Sequence, residues 1–345
     1  MLEFVVFLSF SKSSLLVVAL ATGVAVPVQA AVDVYSSRKE ALIKPLLDQF
    51  TQATGVQVNL VTGKDDALLK RLQVEGDASA ADVLITADAA RLHRAKTGGL
   101  IQAVDSDILR NAVPSQWRDG TDQWFGLTSR ARPIIYAKDR VDPANLSTYE
   151  ALADAQWKGR ICVRSSSNVY NQSLVASMLA ASSMGDVQQW TSGLVNNFAR
   201  KPAGGDTDQL RAVAAGQCDV ALANTYYLGR LGRSDKAENQ AVANALAVFW
   251  PNQEGRGAHF NISGIAMTKS ADSQAEAKQL MEFMVSAEAQ NWYAQANNEY
   301  PVVAGVAMAD VLSSFGTAKA DTVAMEKLGE LNQKALMVMD LAGWR

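Results

Sequence analysis

The sequence predicts an α/β protein of two lobes, and three observations support this prediction. Strand-like and helix-like runs alternate along two stretches of the chain, as in parallel sheets with helical crossovers. A turn-rich segment separates the two stretches. The chain has 345 residues, a length at which one hydrophobic core usually gives way to two domains. We therefore expect two mainly parallel sheets, each flanked by helices, with a cleft between them.

The N-terminal segment has the pattern of a cleaved secretory signal. Lys12 precedes an apolar run from Leu15 to Val28. The run ends in Val28-Gln29-Ala30, which fits the small-x-small rule for signal peptidase. A membrane anchor is the alternative, but this run is shorter than the roughly 20 residues that a membrane-spanning helix needs. We expect residues 1–30 to be removed, no later membrane span, and export to a soluble compartment.

The first stretch of the mature chain alternates three strands with three helices. Leu42, Leu46 and Phe50 recur every four residues until Gly55, which indicates a helix that ends at this glycine. The strands are expected at 32–35, 56–61 and 82–85, and the other two helices at 65–75 and 89–97.

A second alternating series begins at Pro133. Between the two series, Pro114, Gly120 and Gly126 favour turns, so we expect the chain to cross between the lobes within 113–126. The strands of the second series are expected at 133–137, 161–163 and 220–223, its helices at 172–181 and 186–194, and a later strand and helix at 262–267 and 275–285. The predicted first lobe comprises 31–128 and 252–302, and the predicted second lobe comprises 129–251 and 303–345.

The charge balance argues against one class of partner. The 32 Lys and Arg residues are nearly matched by 35 Asp and Glu residues, which leaves a net charge of −3. Nucleic-acid binding requires a basic surface that this composition does not supply. We therefore expect no nucleic-acid partner.

The two cysteines occupy similar sequence settings. Cys162 and Cys218 each stand at the start of a short apolar run that is typical of a buried strand. In an oxidising compartment the pair could form a disulfide, which would stabilise the fold by roughly 4 kcal/mol in the chain-entropy model. Two small buried apolar side chains are the other interpretation, and the pattern alone leaves both open.

Four tyrosines follow three of the predicted strands. Tyr35 closes the first strand, Tyr170 follows the strand of Cys162, and Tyr226 and Tyr227 follow the strand at 220–223. Ligand sites in such sheets gather beyond the carboxyl ends of the strands. A tyrosine at a strand end is most often a packing residue. Four at three such ends are also compatible with a shared site, and the spacing alone leaves both interpretations open. Phenolate oxygen would suit a hard, highly charged cation.

Five segments together resemble the periplasmic ferric-iron-binding proteins of ABC importers. They are Tyr35-Ser-Ser-Arg38, Ser165-Ser-Ser-Asn-Val-Tyr-Asn-Gln-Ser-Leu174, Ala223-Asn-Thr-Tyr-Tyr-Leu-Gly-Arg230, Gly257-Ala-His-Phe-Asn-Ile-Ser-Gly264 and Glu299-Tyr-Pro-Val302. The resemblance spans nearly the whole mature chain. It implies a two-lobed periplasmic binding protein of type II, a bacterial analogue of transferrin, with crossing strands as the hinge.

The resemblance also implies a site and a function. Four tyrosines would bind Fe(3+) as the transported ligand: Tyr35, Tyr170, Tyr226 and Tyr227. Arg130 would approach the metal or a synergistic anion such as carbonate, and Arg38 and Ser165 would contact that anion or support the ligands. The protein would be a periplasmic monomer that delivers iron to an inner-membrane ABC permease, and it would not be an enzyme.

This sequence departs from its relatives in the first lobe. Val34 stands where some relatives carry a histidine, and Ala87 lies near the position where others carry a glutamate. The first lobe is therefore expected to contribute Tyr35 alone, which leaves coordination positions for water or an anion. His93 is expected on the surface of its helix, and His259 is expected to be structural.

Two other functions have some support in the sequence. Ser36-Ser-Arg-Lys39 and Lys96-Thr-Gly98 fit parts of the penicillin-recognising enzyme motif, but Lys96-Thr-Gly98 ends a helix instead of opening a strand. An oxyanion or small organic solute, held by Ser165, helix N-termini and Arg130, keeps the same fold and remains the alternative ligand.

Overall fold

The computed structural model describes residues 30–345. The predicted signal peptide at 1–30 therefore lies outside the described residues, except for Ala30. The strands are β1 (Ala31–Ser36), β2 (Gln57–Thr62), β3 (Val83–Thr86), β4 (Ile101–Gln102), β5 (Phe125–Ala131), β6 (Ile134–Ala137), β7 (Ile161–Cys162), β8 (Val220–Leu222), β9 (Leu246–Phe249), β10 (Phe260–Thr268) and β11 (Tyr300–Pro301).

Fourteen α-helices are interspersed with these strands along residues 30–345. They are α1 (Lys44–Thr54), α2 (Asp65–Glu75), α3 (Ala89–Thr97), α4 (Asp107–Ala112), α5 (Val169–Ala181), α6 (Met184–Asn196), α7 (Asp206–Ala214), α8 (Thr225–Gly232), α9 (Ala237–Ala245), α10 (Gln274–Met284), α11 (Ala287–Asn297), α12 (Asp310–Ser313), α13 (Met325–Glu330) and α14 (Asn332–Leu341). Within residues 30–345, no helix combines the length and the apolar character that crossing a membrane requires.

The first lobe is built on a sheet with the strand order β11–β5–β10–β3–β1–β2, and β4 pairs with β10 at its side. Strand β1 runs parallel to both β2 and β3. The predicted alternation of β1 to β3 with α1 to α3 is confirmed. Gly55 ends α1 in the left-handed conformation, with φ +78°, which a residue without a Cβ adopts without strain.

The second lobe is built on a sheet with the strand order β7–β8–β6–β9. Both sheets are mixed, whereas the sequence predicted mainly parallel sheets. The parallel pairs are those that helices connect within one lobe, namely β1–β2, β1–β3 and β7–β8. The strands that carry the chain between the lobes run antiparallel to their neighbours, because they enter each sheet without a helical crossover.

The chain crosses between the two sheets at Arg132, later than predicted. Strand β5 still pairs with β10 in the first sheet up to Ala131, so segment 113–126 belongs wholly to the first lobe. The chain returns between β9 and β10. At this hinge the backbone N–H of Arg132 donates to the carbonyl oxygen of His259 at 3.0 Å. The hydroxyl of Tyr149 donates to the carbonyl of Arg132 at 2.8 Å and accepts from the N–H of His259 at 3.0 Å.

The C-terminal helices also connect the two lobes. Helix α13 packs against α3 of the first lobe and α5 of the second, and α14 packs against α5 and α6. Met325 and Leu328 of α13 share one hydrophobic cluster with Leu92 of α3 and Leu174 of α5. The apolar core therefore continues from one lobe to the other through these helices.

A disulfide joins Cys162 at the end of β7 to Cys218, just before β8, with a Cα–Cα distance of 5.9 Å. Both residues are buried, since β7 and β8 are paired strands inside the second lobe. The helices that carry Tyr170 and Tyr226, α5 and α8, are the next α-helices after these two strands in the chain.

Candidate metal centre

Three of the four tyrosines singled out in the sequence come together at one edge of the second sheet. Tyr170 is the second residue of α5, and Tyr226 and Tyr227 follow Thr225 at the start of α8. Helices α5 and α8 begin beyond the carboxyl ends of the parallel neighbours β7 and β8. The two helix starts therefore lie side by side, as expected for a ligand site in an α/β sheet.

The phenol groups of these tyrosines are in contact. The hydroxyl of Tyr226 donates to the hydroxyl of Tyr170 at 3.3 Å. The rings of Tyr226 and Tyr227 lie with their centroids 4.3 Å apart. All three side chains line a cavity of about 180 Å³, which we call the tyrosine cavity.

Residues of the first lobe form the opposite wall of the tyrosine cavity. They are Ser37, Arg38, Lys39, Leu42, Ala87, Arg130, Ser263 and Glu299. The cavity is thus lined by both lobes, with its tyrosines on one side and most of its basic residues on the other.

Burial favours the protonated form of two of these phenols, those of Tyr226 and Tyr227. It raises the pKa of Tyr226 well above its usual value of 10.0, and the neighbouring Tyr170 and Tyr227 add to this effect. Burial, together with the nearby Tyr170 and Asp206, raises the pKa of Tyr227 to about 12. A metal must therefore displace a proton from each of these two hydroxyls.

Four arginines place positive charge beside the tyrosine rings, and two of them, Arg130 and Arg230, line the tyrosine cavity. The guanidinium of Arg130 lies 5.3 Å from the ring centroid of Tyr170, and that of Arg230 lies 5.7 Å from Tyr226 and 5.8 Å from Tyr227. Arg130 is 3% exposed and donates to the hydroxyl of Ser263 at 2.7 Å and the carbonyl of Ile262 at 2.9 Å. Among residues 30–345 no carboxylate forms an ion pair with Arg130, and its Nε has no hydrogen-bond partner.

Arg38 lines the tyrosine cavity but its charge is already matched. Its Nη2 lies 2.5 Å from a carboxylate oxygen of Glu299. The same guanidinium donates to the hydroxyls of Thr128 at 3.0 Å and Ser263 at 2.7 Å. Ser263 accepts from both Arg38 and Arg130, so these two arginines form one connected wall of the cavity.

Ser165 lies outside the tyrosine cavity. It lines a larger neighbouring cavity of about 610 Å³ between the lobes, together with Arg164, Lys64 and the partly shared residues Lys39 and Tyr170. The hydroxyl groups of Ser165 and Ser167 lie 3.0 Å apart. The Ser-rich loop thus forms an outer part of the cleft that opens beside Tyr170.

The structure does not bring Tyr35 to the other three tyrosines. Its side chain points towards α2, where its hydroxyl donates to Glu75 at 3.0 Å and Arg71 lies 4.6 Å from its ring. It is 2% exposed and lines neither cavity. Along strand β1, partly exposed and buried residues alternate from Ala31 to Val34, and the last two residues, Tyr35 and Ser36, are both buried.

Two basic residues that line the tyrosine cavity were not among the site residues predicted from the sequence. Lys39, just before the first short helical turn of the chain, lines both cavities. Arg230 follows Tyr226 by four residues in α8, and this spacing places the two side chains on one helix face. The i, i+4 spacing was therefore the signal that could have identified Arg230.

Comparison with known proteins places the chain in a family. Residues 35–291 match the family model described as bacterial extracellular solute-binding protein. The chain is 49% identical over 317 residues to Iron uptake protein A1 of Synechocystis, covering 92% of this chain and 88% of that protein.

Solved structures agree with this result. The Trichodesmium protein IdiA (FutA), solved in complex with iron and citrate ligands, is 49% identical and superposes with a TM-score of 0.88 over 92% of this chain and 100% of that one. The ferric binding protein from Campylobacter jejuni is 39% identical, with a TM-score of 0.88 over 91% of this chain and all of that one. The fold prediction and the resemblance are therefore confirmed, and the chain belongs to the bacterial extracellular solute-binding protein family.

Proposed function

We propose that this protein captures ferric iron between its lobes and delivers it to an inner-membrane ABC permease, without acting as an enzyme. The observation that carries the proposal is the convergence of Tyr170, Tyr226 and Tyr227 on one cavity, with two hydroxyls 3.3 Å apart. The relatives named above are iron-uptake and ferric-binding proteins, which supports the same cargo.

The chemistry of the three tyrosines suits Fe(3+). Phenolate is a hard, anionic oxygen donor, and ferric iron is a hard cation that prefers such donors. Three phenolates carry three negative charges and so balance the charge of one ferric ion. This balance offsets the cost of placing a trivalent cation in a largely buried cavity.

An anion completes the proposed site. The charges of ferric iron and three phenolates cancel, and the charge of Arg38 is paired with that of Glu299. The positive charges of Lys39, Arg130 and Arg230 then remain in the cavity. The hydroxyl of Ser37 and the Nε of Arg130 are buried without hydrogen-bond partners. A small anion such as carbonate, bound there, would satisfy these groups and fill the coordination positions that three tyrosines leave.

The proposed cellular location is the periplasm. The N-terminal pattern of residues 1–30 predicts removal of a secretory signal, and the buried Cys162–Cys218 disulfide is the kind of bond that persists in oxidising compartments. Delivery to a permease and a monomeric state are part of this proposal.

The proposed lobes close about the hinge at Arg132 and His259. The tyrosines belong to the second lobe, whereas Ser37 and Lys39 reach the same cavity from the first. Iron with its anion would therefore hold the two lobes together and stabilise a closed form.

Titration of purified protein with ferric citrate tests the proposal. Iron bound by phenolate absorbs visible light, so the protein should become coloured and saturate at one iron per chain. The variant with Tyr170, Tyr226 and Tyr227 all replaced by phenylalanine should stay colourless, whereas Tyr136→Phe, on β6, should behave as the wild type. Wild-type protein that stays colourless and takes up no iron would contradict the proposal and favour an oxyanion or small organic solute as the ligand.

A further inference from the structure

Arg132 occupies an unusual position in the fold. It directly follows β5, and its backbone forms the hinge contacts with His259 and Tyr149. Its side chain extends into the second lobe, where it is 1% exposed. The guanidinium lies 5.9 Å from the ring centroid of Tyr170.

The guanidinium joins the starts of three helices. Nη2 donates to the side-chain oxygen of Asn171 at 2.7 Å and to the carbonyl of Leu222 at 2.9 Å. Nη1 donates to the side-chain oxygen of Asn224 at 2.9 Å and to Asp206 at 3.0 Å. The backbone N–H of Asn224 also donates to Asp206 at 3.0 Å, which closes the network.

These partners are the neighbours of the candidate metal ligands. Asn171 follows Tyr170 at the start of α5, and Asn224 precedes Thr225 and Tyr226 at the start of α8. Asn171 and Asn224 are almost completely buried. One planar group therefore holds the two segments whose hydroxyls meet at 3.3 Å.

Asn224 shows that this network takes precedence over local helix stability. An asparagine at the N-cap normally accepts a hydrogen bond from the first turn of its own helix. At the start of α8 the side chain of Asn224 makes no such bond, and its oxygen accepts from Arg132 instead. A helix-capping contact is replaced by one that fixes the position of the helix start.

We infer that Arg132 is a positioning residue for the metal site: it sets the separation of Tyr170 from Tyr226 and Tyr227 by holding α5 and α8 on one guanidinium group. This inference rests on the proposed function. Because all of its side-chain partners lie in the second lobe, the three tyrosines keep their arrangement whether the lobes are open or closed. Arginine suits this role because its donors form a fixed planar fork, whereas lysine has one nitrogen and cannot reach acceptors on both sides.

The test compares iron complexes of four variants with that of the wild type. Arg132→Lys keeps the positive charge but removes the planar guanidinium group. Asn171→Ala removes the hydrogen bond between Arg132 and the start of α5, and Asn224→Ala removes the one between Arg132 and the start of α8. Arg256→Lys is the matched control, since Arg256 is also largely buried and paired with Asp321, and it lines neither of the two cavities. The readouts are the energy of the phenolate-to-iron absorption band, the electron paramagnetic resonance line shape, the affinity in competition with citrate, and the melting temperature.

We expect Arg132→Lys to shift the band and to weaken iron binding by at least about 10-fold, the lower range for residues that support metal ligands. Arg256→Lys should lower the melting temperature only. A wild-type band and affinity in Arg132→Lys would overturn the inference, whatever the melting temperature. Should that variant fail to fold, wild-type bands in both asparagine variants would overturn it. Wild-type protein that takes up no iron refutes the proposed function, and the inference with it.

Discussion

The hydroxyl of Tyr226 lies 3.3 Å from the hydroxyl of Tyr170, although 56 positions separate the two residues in the chain. Two phenols that meet in a buried cavity share one hydrogen bond as neutral groups, and they would repel each other as phenolates. A multivalent cation between them removes this repulsion. This relationship distinguishes the pair from tyrosines that merely pack at strand ends.

Replacing any one of the three converging tyrosines should weaken iron binding. Tyr170→Phe, Tyr226→Phe and Tyr227→Phe each remove one phenolate, so we expect the affinity to fall by more than about 100-fold, since loss of a merely supporting residue already costs 10–100-fold. The remaining colour should shift in energy. Competition titrations with citrate measure the affinity, and visible spectra measure the shift.

Tyr35→Phe distinguishes a site with three tyrosine ligands from one in which Tyr35 is the fourth. The hydroxyl of Tyr35 donates to Glu75, so this variant should keep the wild-type spectrum and affinity. A shifted band in Tyr35→Phe would show that the first lobe supplies a phenolate after all, through a rearrangement of β1 and α2 on iron binding.

Removing the disulfide should lower the stability of the second lobe. The bridge closes a loop with a sequence separation of 56, for which the chain-entropy model gives a loss of about 4 kcal/mol in the free energy of unfolding. Urea unfolding of the Cys162→Ser, Cys218→Ser double variant measures this loss. Wild-type protein with two alkylatable thiols after export would contradict the bridge.

His259 should make stability depend on pH. Its burial, reinforced by Arg256, Arg132 and Arg130, lowers its pKa well below 6.5. The unfolded chain takes up a proton below pH 6.5 while the folded chain does not. Stability is therefore complete above that pH and falls by up to about 1.4 kcal/mol per pH unit as the pH decreases, until the pKa of the folded state is reached.

Urea unfolding at pH 7 and pH 5 measures this dependence. His259→Gln should reduce the difference between the two pH values, and His93→Gln, which removes the other histidine, should preserve it. The same slope in the wild type and in His259→Gln would assign the dependence to other groups.

The contact of α13 with α3 should not tolerate a larger residue at Gly329. A Cβ at Gly329 would lie 2.3 Å from the Cβ of His93, so His93 lies beneath α13 and not on an open surface as predicted. We expect Gly329→Ala to cost about 1–3 kcal/mol, the usual range for overpacking. In α6, Gly185→Ala meets no atom closer than 3.8 Å and should leave the melting temperature equal or slightly higher. Equal melting temperatures for the two variants would contradict the close contact.

Local patterns sufficed for much of the fold. The period-four spacing of Leu42, Leu46 and Phe50 predicted α1, and the predicted helices at 65–75 and 89–97 coincide with α2 and α3. These elements follow from apolar periodicity, which the sequence displays directly. The predicted crossing between the lobes, at 113–126, precedes the observed crossing at Arg132. Turn-forming residues mark a turn, but they do not identify which sheet the next strand joins.

The candidate site, like the fold, could be predicted from the sequence only in part. Tyr170, Tyr226 and Tyr227 follow strands that are neighbours in one sheet, as the rule of strand ends allows, but it was the resemblance to ferric-iron-binding proteins that selected them as ligands. Tyr35 also stands near a strand end, but its side chain points towards α2, where its hydroxyl donates to Glu75. Arg132 could not be identified, since its acceptors come from three separate segments of the chain and no local spacing connects these segments to Arg132.

The central claim is that phenolates of Tyr170, Tyr226 and Tyr227 bind ferric iron, and counting the released protons tests it most directly. With the pKa of Tyr226 well above 10.0 and that of Tyr227 raised to about 12, these phenols are protonated at neutral pH. Iron should therefore release about one proton per ligating tyrosine, close to three in total, and its affinity should fall as the pH falls. Titration with ferric citrate in buffers of different ionisation enthalpy, corrected for protons exchanged by the chelate and the anion, gives this number. A corrected release near three is the predicted result, and a release near zero would show that tyrosine is not the ligand.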